Sequence, residues 1–162
     1  EGKQLLINKG SVENYQGQKA KQAKEMPAFV DYTEKSLWNA EILSDNRNDF
    51  NFVAVDKQVS CFDNEGNQKT LCDAIVWTPK TIIFIELKTN DRAWCTKAID
   101  QSESTIEFFK SCEDINKFKY KKAYACNSQH PKFNHQYSDR MQKFVKKNGV
   151  VLRPEKEIKG IK

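Results

Sequence analysis

Asp73, Glu86 and Lys88 are the residues whose types and spacing could do chemistry; they lie in the run LCDAIVWTPKTIIFIELKTN, residues 71–90. A short apolar segment at 74–77 meets a turn at Pro79–Lys80, and a second apolar segment at 81–87 returns. A two-residue turn makes Thr78 face Thr81, and counting outward sets Asp73 opposite Glu86. Directly opposed side chains have Cβ atoms roughly 4.5–5.5 Å apart. Lys88, two residues beyond Glu86, shares its face. Two carboxylates held together at the end of a buried hairpin repel unless a cation sits between them. The spacing therefore predicts a Mg²⁺ site with an ammonium group beside it. That set suits phosphodiester hydrolysis, in which a metal polarises a phosphoryl oxygen and acidifies water. A lysine there offsets charge that grows in the transition state. The plainer alternative is a strand-end ion pair between Glu86 and Lys88, with Asp73 merely closing its strand.

The surrounding elements must hold these groups in place. Residues 1–30 carry Lys3, Lys9, Lys19, Lys21 and Lys24 with weak periodicity, and are expected to form a peripheral basic arm. Asp31 followed by Glu34 fits a helix N-cap with its capping-box partner, leading a helix through Leu37, Trp38, Ala40, Ile42 and Leu43. Residues 50–62 have extended character, and Asn64–Gly66 signals a turn. The continuous apolar run 82–85 implies a strand covered on both faces. A helix is expected over 96–109, a strand over 119–126, and a basic helix over 137–147 that stops at Gly149. A last short strand follows at 150–152. The chain thus reads as an α/β domain of order αβββαβαβ, with a core over 31–153 and a tail over 154–162.

Composition agrees with one domain. The chain has 162 residues, 38% hydrophobic and 30% charged, with a net charge of +5. A domain of this length buries about 70% of its unfolded surface. The positive excess favours a polyanionic partner, though it is mild for a dedicated DNA-binding protein. No apolar run approaches the ~18 residues of a membrane span, so no membrane partner is expected. The first residues, Glu1–Gly2, lack a Met, which leaves open whether residues precede Glu1. Five cysteines are odd in number and form no CxxC pair. With Cys61, Cys72 and Cys126 in apolar or strand-like stretches, they point to buried thiols in a reducing, cytoplasmic setting. Their dispersal leaves no place for an iron–sulfur cluster.

The order of elements, with the pattern D–x12–E–x–K across the hairpin, resembles the core of the PD-(D/E)XK nuclease superfamily. Restriction endonucleases, Holliday-junction resolvases and recombination exonucleases belong to that superfamily. The resemblance covers roughly residues 31–153, and the proline of the motif's name is Cys72 here. It implies a restriction endonuclease-like core, with a central mixed β-sheet flanked by helices. It also implies a Mg²⁺-dependent deoxyribonuclease, expected to be an endonuclease, with Mn²⁺ able to substitute. Asp73, Glu86 and the Leu87 carbonyl would ligate the metal, and Lys88 would position or deprotonate the attacking water. Some members cut both strands as dimers, so a homodimer is compatible with the resemblance, although no dimer surface is legible. An inactive nuclease-fold module that binds DNA or a protein partner is the chief rival, and an RNA-directed nuclease is a third reading.

Further candidates surround the trio. Many members carry an acidic ligand on the first helix. Glu41 is favoured for it, because it shares a helical face with Leu37 and Trp38; Glu34 has a structural explanation as a capping residue. Exonuclease-type members place a glutamine on the helix after the motif, with an aromatic residue four positions later. Gln101 matches the glutamine, whereas position 105 is Thr. His130 and His135 in HPKFNH have no nearby cysteines and make a poor zinc site. Arg140, Lys143, Lys146 and Lys147 could meet a phosphate backbone, as could Lys117, Lys119, Lys121 and Lys122; a charge run of this kind is more often a solvated face. Trp94 could stack on a base or cap the sheet, and core packing is the simpler role.

Overall fold

Apolar side chains run along both faces of TIIFIELK, so the strand they form must be covered on both sides. The computed structural model covers it with helices on one face and a second sheet on the other. It describes residues 4–8, 28–30, 39–43, 50–56, 58–88, 94–127, 137–159 and 161, with backbone alone for 4–8 and 29–30. In chain order the strands before the first helix are β1 (Gln4–Asn8), β2 (Phe29–Val30), β3 (Ala40–Leu43), β4 (Asn51–Ala54), β5 (Ala74–Trp77) and β6 (Thr81–Lys88). Then follow α1 (Trp94–Cys112), a single 3₁₀ turn at Ile115–Lys117, β7 (Tyr120–Asn127), α2 (Ser138–Asn148), β8 (Val151–Arg153) and β9 (Glu157–Ile158).

The main sheet is mixed, ordered β4-β5-β6-β7-β8. β4, β5 and β6 pair antiparallel, whereas β6, β7 and β8 run parallel, with α1 and α2 as the crossovers that parallel pairing requires. Thr78 N–H bonds the Thr81 carbonyl at 2.9 Å, which closes the two-residue turn at Pro79–Lys80. Ala74 consequently pairs with Ile85 and Trp77 with Ile82. On one face Ile75, Ile82, Phe84 and Ala123 pack against Cys95, Ile99 and Ile106 of α1 and Phe144 of α2. On the other face Ala74, Val76, Ile83, Ile85 and Leu87 pack against Ala40, Ile42, Ile158 and Ile161. α2 ends where expected: Gly149 takes φ 68°, a left-handed conformation, and its N–H bonds the Val145 carbonyl.

The second sheet corrects one expectation. Ala40–Leu43 is a strand, not the end of a helix: it pairs antiparallel with β1 and parallel with β9. Two strands distant in sequence satisfy its main chain from both sides, and this outweighs any local helical preference. Residues 31–38, which hold the expected capping box, lie outside the described residues. The main sheet is flanked by helices on one face alone among the described residues, the other face being closed by strands. Residues 4–8 and 29–30 supply β1 and β2, and residues 157–158 supply β9, with Ile158 and Ile161 buried.

All five cysteines are free: Cys72, Cys95 and Cys126 are buried, Cys61 is half-buried and Cys112 exposed. Cys95 joins the core because the first turn of α1 faces the sheet, whereas Cys61 sits on a loop at the rim of that cluster. No helix among the described residues is long and apolar enough to cross a membrane.

Candidate active site

The antiparallel register that pairs Ala74 with Ile85 sets Asp73 opposite Glu86 one step further out. Opposed residues share a face, and Ile75, Phe84 and Ile82 of the same alternation point to the helices. Asp73 and Glu86 therefore converge beneath α1, 1% and 0% exposed. The Asp73 carboxylate accepts a hydrogen bond from Leu87 N–H at 2.7 Å, where β5 has stopped pairing and its side chain takes over. An antiparallel strand directs a residue's N–H and C=O to the same neighbour, so the Leu87 carbonyl lies on Asp73's side of β6. Lys88 Nζ stands 2.5 Å from Glu86 Oε1, and its side chain is 15% exposed, so the ammonium is at the mouth of the site.

Gln101 is brought to the same place. Its Oε1 accepts from Lys88 Nζ, and its Nε2 donates to the Leu71 carbonyl at 3.2 Å. One α1 side chain thus bridges the end of β6 to the segment that leads into β5. Thr105, one turn later, donates its hydroxyl to the Gln101 carbonyl and accepts from Cys72 N–H, both at 2.7 Å. Asn127, at the end of β7, is in register with Lys88 and buried. It adds a carboxamide to the row on this face of the sheet.

Comparison with known protein families, characterised proteins and solved structures finds no match.

The electrostatics agree with two close carboxylates. Burial pushes the Cys72 thiol far above the thiol range; the Thr105 hydrogen bond opposes this, and the charges of Glu86 and Asp73 add to it. Burial also raises Cys126 strongly, with Asp73 and Glu86 next in effect. Both shifts favour the neutral thiol. No cluster of three or more His, Cys, Asp or Glu forms among the described residues. Mg²⁺ does not need one, since it keeps several waters and is held through one or two carboxylates. Asp73, Glu86 and the Leu87 carbonyl make a hard-oxygen set that fits such an ion, with Lys88 occupying the cationic position near Glu86.

The remaining candidates separate from this centre. Glu41 stands on β3, and its neighbours Ala40 and Ile42 join the cluster on the opposite face of the main sheet from Asp73 and Glu86. The helix-borne acid expected at position 41 is therefore a strand residue in another layer, because distant strands recruited that segment. Glu34, His130 and His135 lie outside the described residues. On α2, Arg140 pairs with Asp100 at 2.9 Å, and Lys147 with Glu107 at 3.2 Å and Glu103 at 3.4 Å. That face is thus partly neutralised by α1, while Lys143 and Lys146 are exposed. Lys117 pairs with Glu113, Lys119 lies over the Tyr120 ring, and Lys121 and Lys122 donate to the Phe118 and Lys159 carbonyls. Trp94 packs half-buried against the helix-side core.

Sequence reasoning passed over Thr105 as a contributor, although its place one helical turn after Gln101 already put both on one face. Asn127 carried no usable signal, because its alignment with Lys88 depends on the parallel register of β6 and β7.

Proposed function

We propose that the chain is a metal-dependent nuclease of PD-(D/E)XK type that hydrolyses DNA phosphodiester bonds as an endonuclease. The observation that carries this reading is the convergence of buried Asp73 and Glu86 on one sheet face, with Lys88 Nζ 2.5 Å from Glu86 Oε1. Two carboxylates and an ammonium at the carboxyl end of a central strand form a costly arrangement without a cation and a charged substrate to use it. The β4–β8 portion, of order βββαβαβ, supports a restriction endonuclease-like core.

In this reading Asp73, Glu86 and the Leu87 carbonyl hold Mg²⁺ or Mn²⁺. The bound metal supplies Lewis acidity and a water of lowered pKa. The Lys88 ammonium orients the attacking water and offsets charge on the scissile phosphate. Gln101 keeps Lys88 directed at the site while tying β6 to the start of β5. The net charge of +5 favours a nucleic acid, and a reducing, cytoplasmic setting suits five free thiols. Neither an RNA substrate nor a homodimer is needed by the geometry.

The test is cleavage of duplex, single-stranded and branched DNA, and of RNA, by the purified chain with Mg²⁺ or Mn²⁺. DNA cleavage that Glu86→Ala abolishes supports the reading. Lys88→Ala should lower turnover by about 10²-fold or more while metal binding persists. Absence of cleavage on every substrate counts against it. The rival, an inactive module that binds DNA or a protein partner, draws on the contacts Lys88 already makes with Glu86 and Gln101. Calorimetric titration with Mn²⁺ separates the two, because an inactive module has no use for a carboxylate-dependent metal site.

A further inference from the structure

Asp73 precedes β5; its carbonyl accepts from Val55 N–H at 2.9 Å on the β4 side, and the residues just before it are held by α1. The Thr105 hydroxyl, wholly buried, accepts from Cys72 N–H and donates to the Gln101 carbonyl. Gln101 in turn holds the Leu71 carbonyl and the Lys88 ammonium. The peptide group between Leu71 and Cys72, just before Asp73, is thereby tied to α1 through both its carbonyl and its N–H. The same helix, through one glutamine, also sets the lysine on the other strand.

We propose that Thr105 is a positioning residue for the metal site: through Cys72 N–H it fixes where the Asp73 carboxylate sits relative to Glu86. The proposal rests on the nuclease reading above. Thr105 touches neither metal nor substrate, and its effect passes through the backbone it anchors. A hydroxyl serves here where an alkyl group of the same shape does not, because it accepts from the strand while donating to its own helix. Outer partners of metal ligands commonly change metal affinity by 10–100-fold when removed.

Thr105→Val keeps the shape and removes both hydrogen bonds, whereas Thr105→Ser keeps the hydroxyl. Titration calorimetry with Mn²⁺ on the folded proteins should show Thr105→Val binding about tenfold or more weakly than wild type. Thr105→Ser should stay within about threefold. A merely structural threonine would lower the melting temperature and leave Mn²⁺ affinity alone. Phe144→Ala, a core change under α2, serves as the control for lost stability without a lost restraint. If Thr105→Val does not fold, Thr105→Cys, with a weakly accepting sulfur, carries the same comparison. Unchanged Mn²⁺ affinity in the folded Val or Cys variant overturns the role of Thr105 while the nuclease reading stands. A wild-type protein that binds no Mn²⁺ overturns both.

Discussion

Asp73 combines two duties that a substitution can separate. One is to accept the Leu87 N–H; the other is to present negative charge beside Glu86. Asp73→Asn retains an acceptor for the N–H and loses the charge. It should keep a melting temperature close to wild type while Mn²⁺ binding and cleavage disappear. Asp73→Ala loses both, and the orphaned N–H should add about 1–3 kcal/mol of destabilisation, measurable by urea denaturation. Equal stability of the two variants would show that the Leu87 hydrogen bond contributes nothing. At this scale the sequence was informative, because a two-residue turn and period-2 alternation are enough to set residue 73 opposite residue 86. It did not reveal that Gln101 reaches back to Leu71, or that Thr105 ties Cys72 to the helix, since both contacts require knowing how α1 crosses the sheet.

Between elements, apolar packing outweighs the visible charge pairs. α1 and α2 are laced by Arg140–Asp100 and by Lys147 with Glu103 and Glu107, with exposed side chains except for the half-buried Glu103. Exposed pairs contribute little because water screens them and ordering long side chains costs entropy. Phe144, 1% exposed between α2 and the sheet, is the stronger link. Phe144→Ala should cost about 3–5 kcal/mol, whereas Arg140→Ala should change stability by no more than about 1 kcal/mol. Comparing the two midpoints by chemical denaturation tests the ranking. The helices and parallel strands after residue 94 were legible, since each has a clear period and α2 has a glycine stop. β3 was not: NAEIL supports either period, and only β1 and β9 on its two sides make it extended.

For the whole molecule, the closing of the second sheet and the burial of thiols set the limits of stability. Ile158 is fully buried in the cluster that covers the main sheet. Ile158→Ala should therefore cost about 2–5 kcal/mol although it lies near the chain end. A change under about 0.5 kcal/mol, typical of surface positions, would contradict that packing. Alkaline pH should also destabilise. The folded state holds Cys72 and Cys126 well above the ordinary thiol value of 9.0, so above that pH the unfolded chain releases protons that the folded chain retains. Stability is then full below pH 9 and falls as pH rises past it, by roughly 1 kcal/mol per pH unit for each thiol. Denaturation at about pH 8 and about pH 10 should show a smaller loss in Cys126→Ala than in wild type, and equal losses would refute the assignment. The sequence by itself determined the hairpin, its register and the trio at its end, because those follow from local turn geometry and strand alternation. Tertiary structure alone decided that residues 4–8 and 157–158 join Ala40–Leu43 in a second sheet, that Glu41 belongs to that layer, and that α1 bonds Lys88 and the peptide before Asp73. Those outcomes depend on which distant segments satisfy one another's main chains and apolar faces, which no local pattern encodes.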